Sequence, residues 1–148
     1  ELTQMSNSLM SMLKRHEGVR SKVYTCSAGY ETIGVGRNIS PTGLGLDDDE
    51  IDFLLINDIT RVRHELNRAF VWFDGLDNVR KDALINIAFN LGLTVLCKFE
   101  KSLEYMASGD YMLAADEFLD SRWAKQVGNR AIEVTDMIRT GEYPDAAA

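Results

Sequence analysis

Between Asp47 and Leu66 the apolar residues Ile51, Leu55, Ile59, Val62 and Leu66 recur every three or four positions. That spacing places all five on one stripe of an α-helix. Asp47 and Asp48 stand where a cap and the positive end of the helix dipole favour a carboxylate. A helix of about twenty residues is ~30 Å long, long enough to be a spine between two lobes. The chain before it is rich in glycine and β-formers, and the chain after it reads as almost entirely helical. The expected class is therefore α+β, mostly helical: a small β-hairpin lobe joined by a long helix to a larger helical lobe.

Ser8 to His16 reads as a short helix, with Leu9, Met12, Leu13 and His16 on one face and Gly18 just past its end. Lys22–Thr25 and Tyr30–Gly36 flank the small residues Ser27-Ala28-Gly29, which is a hairpin signal. A loop containing Pro41, Gly43 and Gly45 leads to the long helix. Beyond "FVWFDG", Asp77 can cap a helix over Val79–Leu91 that Gly92 stops. Further helices are expected over Val95–Ser108, Asp110–Leu119 and Arg130–Arg139, with "SRW" as a turn. Phe89 and Trp123 are expected in the core, and His16 and His64 at the surface or as caps. The 148 residues suit one domain. Its small lobe covers about 13–47, its connecting helix about 47–68 and its helical lobe about 69–143, together with the N-terminal helix. A cleft between lobes is a common place for a ligand.

With 16 Lys and Arg against 23 Asp and Glu the net charge is −7. This disfavours nucleic acid as a partner, because phosphate binding needs clustered cations. No apolar run approaches the roughly 18 residues of a membrane-spanning helix, so no stable membrane association is expected. No basic stretch followed by an apolar one marks a cleavable signal, and Met5 is a candidate natural start. Cys26 and Cys97 are far apart and belong to no metal-ligand spacing. No metal or organic cofactor is expected. Two separate thiols are the favoured reading, with Cys97 a structural residue of an apolar helix.

Three side chains could carry chemistry. Glu17 ends the first helix, where the dipole disfavours a carboxylate. It reads either as a solvated surface group or as a general acid set among apolar neighbours. Cys26 alone could be a small packed residue, and Thr32 an ordinary strand residue. Their spacing adds something, since eight residues separate Glu17 from Cys26 and five separate Cys26 from Thr32. The hairpin folds the last two back toward the helix end.

In "LKRHEGVRSKVYTCSAGYETIGVG" this spacing resembles the signature of the phage-type lysozymes: Glu, eight residues, Asp or Cys, five residues, Thr. The similarity continues in "DNVRKDALINIAFNLG" and "SRWAKQVGNRAIEVTDMIRTGEY", covering about Leu13 to Tyr143. The resemblance implies a lysozyme-like fold. It also implies hydrolysis of the β-1,4 bond between N-acetylmuramic acid and N-acetylglucosamine in bacterial peptidoglycan. Glu17 would be the general acid, Cys26 would hold the place of an Asp or Cys, and Thr32 would position water or sugar. Arg130 matches an arginine that pairs with the catalytic glutamate, and Asn90, Arg122 and Gln126 match positions lining the sugar groove. For Asn90 and Arg122 the plain alternative is satisfaction of helix ends and backbone groups.

The chain departs from the family's best-known pattern at Ala28, Glu31 and Arg37, in a shorter stretch after the hairpin, and in its acidic charge. Wall affinity would then come from groove contacts. Glycoside cleavage ordinarily uses two carboxyls, and here a thiol replaces one. That keeps a lytic transglycosylase, which needs one glutamate and leaves an anhydro product, as a rival. A non-catalytic wall-binding or phage tail structural module is the rival from another class. By resemblance the chain is a monomeric endolysin made in the host cytoplasm and dependent on a holin to reach the wall, or a domain of a larger tail protein.

Overall fold

The computed structural model describes residues 7–144; Met5, the candidate start, lies outside them. The elements run α1 (Asn7–Glu17), β1 (Arg20–Thr25), β2 (Glu31–Gly34), β3 (Arg37–Asn38), α2 (Asp48–Ala69), a 3-10 turn (Phe73–Gly75), α3 (Asn78–Leu91), α4 (Leu93–Leu96), α5 (Glu100–Ser108), α6 (Tyr111–Leu119), α7 (Arg122–Val127) and α8 (Asn129–Thr140). The fold is mostly helical α+β, as expected. The chain divides into two compact units, one ending at Leu54 and the other beginning at Leu55, so the boundary falls within α2.

In the first unit the Gly18 amide closes α1 on the Lys14 carbonyl at 2.9 Å, at a φ of +81° that suits glycine. The sheet is antiparallel in the order β1-β2-β3, with Tyr24 opposite Thr32, Thr25 opposite Glu31 and Ile33 opposite Arg37. The expected second strand over Tyr30–Gly36 is shorter than its sequence pattern. It stops at Gly34, and a turn through Val35 and Gly36 yields the unexpected third strand. Gly34 and Gly36 both sit at φ +70°, a region that glycine enters without cost and that reverses the chain.

The α2 stripe is buried only in its later half. Leu66 is fully buried and Ile59 and Val62 pack against the core, but Ile51 and Leu55 are exposed. Among the described residues no apolar side chain before Leu55 is buried. The N-terminus of α2 is closed by its own acid: the Asp47 amide donates to Glu50 Oε1 at 2.9 Å, and the Ile51 amide donates to the Asp47 carbonyl.

The second unit holds the core, built on Phe73, Leu84, Ile87, Leu96, Phe118 and Ile138. Asp77 caps α3 as expected, accepting from the Arg80 amide. The Arg80 guanidinium reaches the Ile138 and Arg139 carbonyls at 2.6 and 3.2 Å and lies over Tyr111. It thus satisfies carbonyls at the end of α8 that have no partner within the helix. Two expectations fail here. The helix read over Val95–Ser108 is two helices, because Phe99 leaves helical geometry at ψ 59° and packs its ring on Phe118 at 5.4 Å. "SRW" is the start of a helix, because Ser121 accepts from the Ala124 amide and caps α7.

Candidate active site

The hairpin loop is tight enough to surround a sulfur with donors. The Cys26 amide donates to the Tyr30 carbonyl, and the Gly29 amide donates to the Cys26 carbonyl, both at 2.9 Å. The thiol is half-buried, and hydrogen bonding from the loop backbone lowers its pKa from the ordinary thiol value, with Tyr30 contributing most and burial opposing. The Thr32 hydroxyl also lies within reach of the sulfur. It has one proton, however, and that proton goes to the Tyr30 carbonyl at 2.9 Å. Thr32 is buried, so its hydroxyl is fixed in place. The structure thus brings Cys26 and Thr32 together.

Glu17, the last residue of α1, is exposed. The apolar surroundings expected for a general acid do not bury it. Its neighbour is Gly36: a side-chain carbon built on Gly36 would stand 2.9 Å from Glu17 Oε2. The next residue, Arg37, donates to the Gly45 carbonyl at 2.9 Å and to Glu50 Oε1 at 2.8 Å. The Arg37 contact holds the Glu50 carboxyl below its ordinary range, helped by the Asp47 amide. The pair fastens β3 to the start of α2.

In the second unit, Asn90 Oδ1 accepts from the indole N–H of buried Trp123 at 2.8 Å. Asn90 therefore serves a side chain and not a helix end, and its amide nitrogen remains for another partner. Arg130 donates from Nε to Asn86 Oδ1 at 2.9 Å and from Nη2 to the Asn86 carbonyl at 3.2 Å. Arg122 and Gln126 are exposed on α7. Phe89, expected in the core, is 44% exposed. Ala83, Leu84, Ile87 and Ala88 take the buried face of α3, and Phe89 lies off it, in a groove with Leu55, Ile59 and Ile85. At the groove's edge Tyr143 donates to Asp82, which pushes its phenol up to about 12 and keeps it a proton donor.

Cys97 is also a correction. It is a free, exposed thiol at the C-cap of α4, a short helix that turns Leu96 and Leu93 to the core. Among the described residues, no group of three or more His, Cys, Asp or Glu side chains is placed to hold a metal ion. Sequence reasoning missed Asn86 and Gly36. Asn86 lies one helical turn before Asn90 in the same block, a spacing that puts both on one face. Gly36 gave no signal beyond its place in "GVG".

The phage lysozyme family model matches residues 14–139. The central spike protein Gp5 of the pre-baseplate of Enterobacteria phage T4 is 30% identical over 90% of this chain, which spans 28% of that protein's length. A probable T4-type lysozyme of Dictyostelium discoideum is 27% identical over 93% of this chain and 96% of its own. An endolysin of Acyrthosiphon pisum secondary endosymbiont phage 1 is 31% identical over 85% of each chain. The chain belongs to the phage lysozyme family, a family of glycoside hydrolases acting on peptidoglycan. Among the described residues no helix is long and apolar enough to cross a membrane.

Proposed function

We propose that the protein is a muramidase that hydrolyses the β-1,4 bond between N-acetylmuramic acid and N-acetylglucosamine, with Cys26 as a thiolate in the place of a second carboxylate. The observation that supports this most is the tight hairpin turn that sets Cys26 beside buried Thr32, where the loop backbone lowers the thiol's pKa. Glycosidic cleavage passes through a positively charged, oxocarbenium-like sugar, which a neutral thiol cannot stabilise and an anion can. Glu17 gives its proton to the leaving oxygen and the carbon–oxygen bond breaks. The thiolate offsets the charge on the ring while water adds to the same carbon. One water proton replaces the proton that Glu17 gave. Thr32 holds the rim of the sulfur site. Asn90, Arg122 and Gln126 contact sugar. The desolvation that a general acid requires comes with the bound sugar, since Glu17 itself is exposed.

As an endolysin the protein is a monomer made in the host cytoplasm and reaches periplasmic peptidoglycan through a holin lesion. The spike relative offers the other delivery route, as a domain of a longer tail protein. The test is digestion of purified peptidoglycan, with products weighed by mass spectrometry and Glu17→Gln as control. Reducing-end muramic acid, with activity lowered on the order of a thousandfold by Glu17→Gln in a folded protein, supports the reading. Products lighter by one water identify a transglycosylase, the reading favoured if Cys26 carries no charge. Substantial activity in the Glu17→Gln protein overturns the assignment of the acid.

A further inference from the structure

Nothing in α1 itself fixes where the Glu17 side chain points. The residue ends the helix and its side chain is exposed, which leaves its rotamers open. The chain that comes up against it is Gly36, at the turn between β2 and β3. With φ +70° this residue turns its backbone so that a Cβ would stand 2.9 Å from Oε2, 3.3 Å from Cδ and 3.5 Å from Cγ of Glu17. Carbon does not approach a carboxylate oxygen that closely, so a side chain at position 36 and the present position of Glu17 exclude each other.

Which of the two would yield is also fixed by the structure. Gly36 is followed by Arg37, which pairs with Ile33 across the sheet and is bonded to the Gly45 carbonyl and to Glu50. Asn38, next along, pairs with Thr32. The backbone on that side is held by two strands and an ion pair, while the Glu17 carboxylate ends a flexible side chain. The carboxylate would move.

We propose that Gly36 is a positioning residue for the general acid: its missing side chain defines the space in which the Glu17 carboxylate sits, and the Arg37–Glu50 pair holds that space in place. The proposal rests on Glu17 being the general acid. A displacement of about 1 Å in a reacting group can lower a rate a hundredfold without touching binding.

Gly34 supplies a matched control. It has the same φ of +70°, two residues away, and a Cβ there would meet nothing within 4 Å. Gly34→Ala and Gly36→Ala therefore place a side chain at the same positive φ, and only the second intrudes on Glu17. The expected result is a fall in kcat of about ten- to a hundredfold in Gly36→Ala relative to Gly34→Ala, with KM within about twofold. A second readout does not depend on catalysis: the carboxyl carbon-13 resonance of Glu17, identified by its loss in Glu17→Gln. It should shift in Gly36→Ala and stay in place in Gly34→Ala. If the resonance is unmoved in Gly36→Ala, or the two variants lose activity equally, the proposal is wrong. If the resonance moves as expected but kcat does not follow, Gly36 still shapes the site, and it is the assignment of Glu17 as the acid that fails.

Discussion

Every buried apolar side chain among the described residues lies after Leu55, from Leu66 to Ile138, while Glu17, Cys26 and Thr32 all lie before it. The two regions hold their side chains in place by different means. The later one uses close packing of rings and branched chains around Phe73, Leu84 and Phe118. The earlier one uses directed polar contacts: amides around a sulfur, a hydroxyl on a carbonyl, a guanidinium on a carboxylate, and a glycine beside an acid. Packing is worth several kcal/mol per large residue. Exposed polar contacts contribute far less to stability, but they fix positions and charge. Damage to the packed, later region should therefore appear in melting, and damage to the polar, earlier region in rate.

The strongest way to break this contrast is from the packed side. Phe118 is fully buried, its ring 5.4 Å from that of Phe99. Phe118→Ala should cost about 3–5 kcal/mol in urea unfolding. The fraction still folded at low temperature should keep near-normal kcat, since Phe118 contributes no group to the candidate site. A cost under about 1 kcal/mol would mean that the core is not where the structure puts it.

On the other side of the contrast, Cys26→Ala should leave melting within a few degrees of wild type and lower activity about ten- to a hundredfold. The pH dependence sharpens this. The reaction needs an anion at position 26 and a proton on the acid. The Tyr30, Ala28 and Gly29 amides lower the thiol's pKa, so wild-type activity should rise with pH below the ordinary thiol range of about 8.5. Cys26→Asp should remain active with its rising limb at lower pH, because a carboxylate ionises near about 4. The same lowered pKa stabilises the fold above the unfolded thiol's pKa, a gain lost as pH falls through the folded value. A rising limb that is identical in wild type and Cys26→Asp would show that the sulfur's charge plays no part.

What the sequence revealed of these two regions follows the same division. Helix caps are local, so Gly18, Asp77 and Gly92 marked their helix ends correctly. The Glu17, Cys26 and Thr32 spacing led to the right family because a hairpin brings residues six apart into contact. The break at Phe99 was not legible, because it depends on a ring nineteen positions away in sequence. Nor was the half-buried stripe of α2: periodicity says which face is apolar and not what covers it. The Cys26 amides were invisible for a related reason, since a side-chain pattern carries no record of where backbone N–H groups point. Gly36 shows the limit most plainly, because its contribution is a missing side chain.

Cys97 tests the smallest difference. Read as part of an apolar helix, it was expected to be buried, so that Cys97→Ala would leave a small cavity and cost stability. It is exposed at the end of α4 instead, where Leu93 and Leu96 turn inward. Substitution should then change stability by no more than about 0.5 kcal/mol and leave activity unaltered. That near-silence makes Cys97→Ala the background in which Cys26 is the single thiol. Alkylating this variant should abolish most activity in step with modification, faster at higher pH as the thiolate forms, while the Cys26→Asp, Cys97→Ala double variant should be indifferent to the reagent. Complete modification of Cys26 with full activity retained would return that residue to a packing role. A loss of more than about 1 kcal/mol in Cys97→Ala alone would place the α4 thiol inside the core after all.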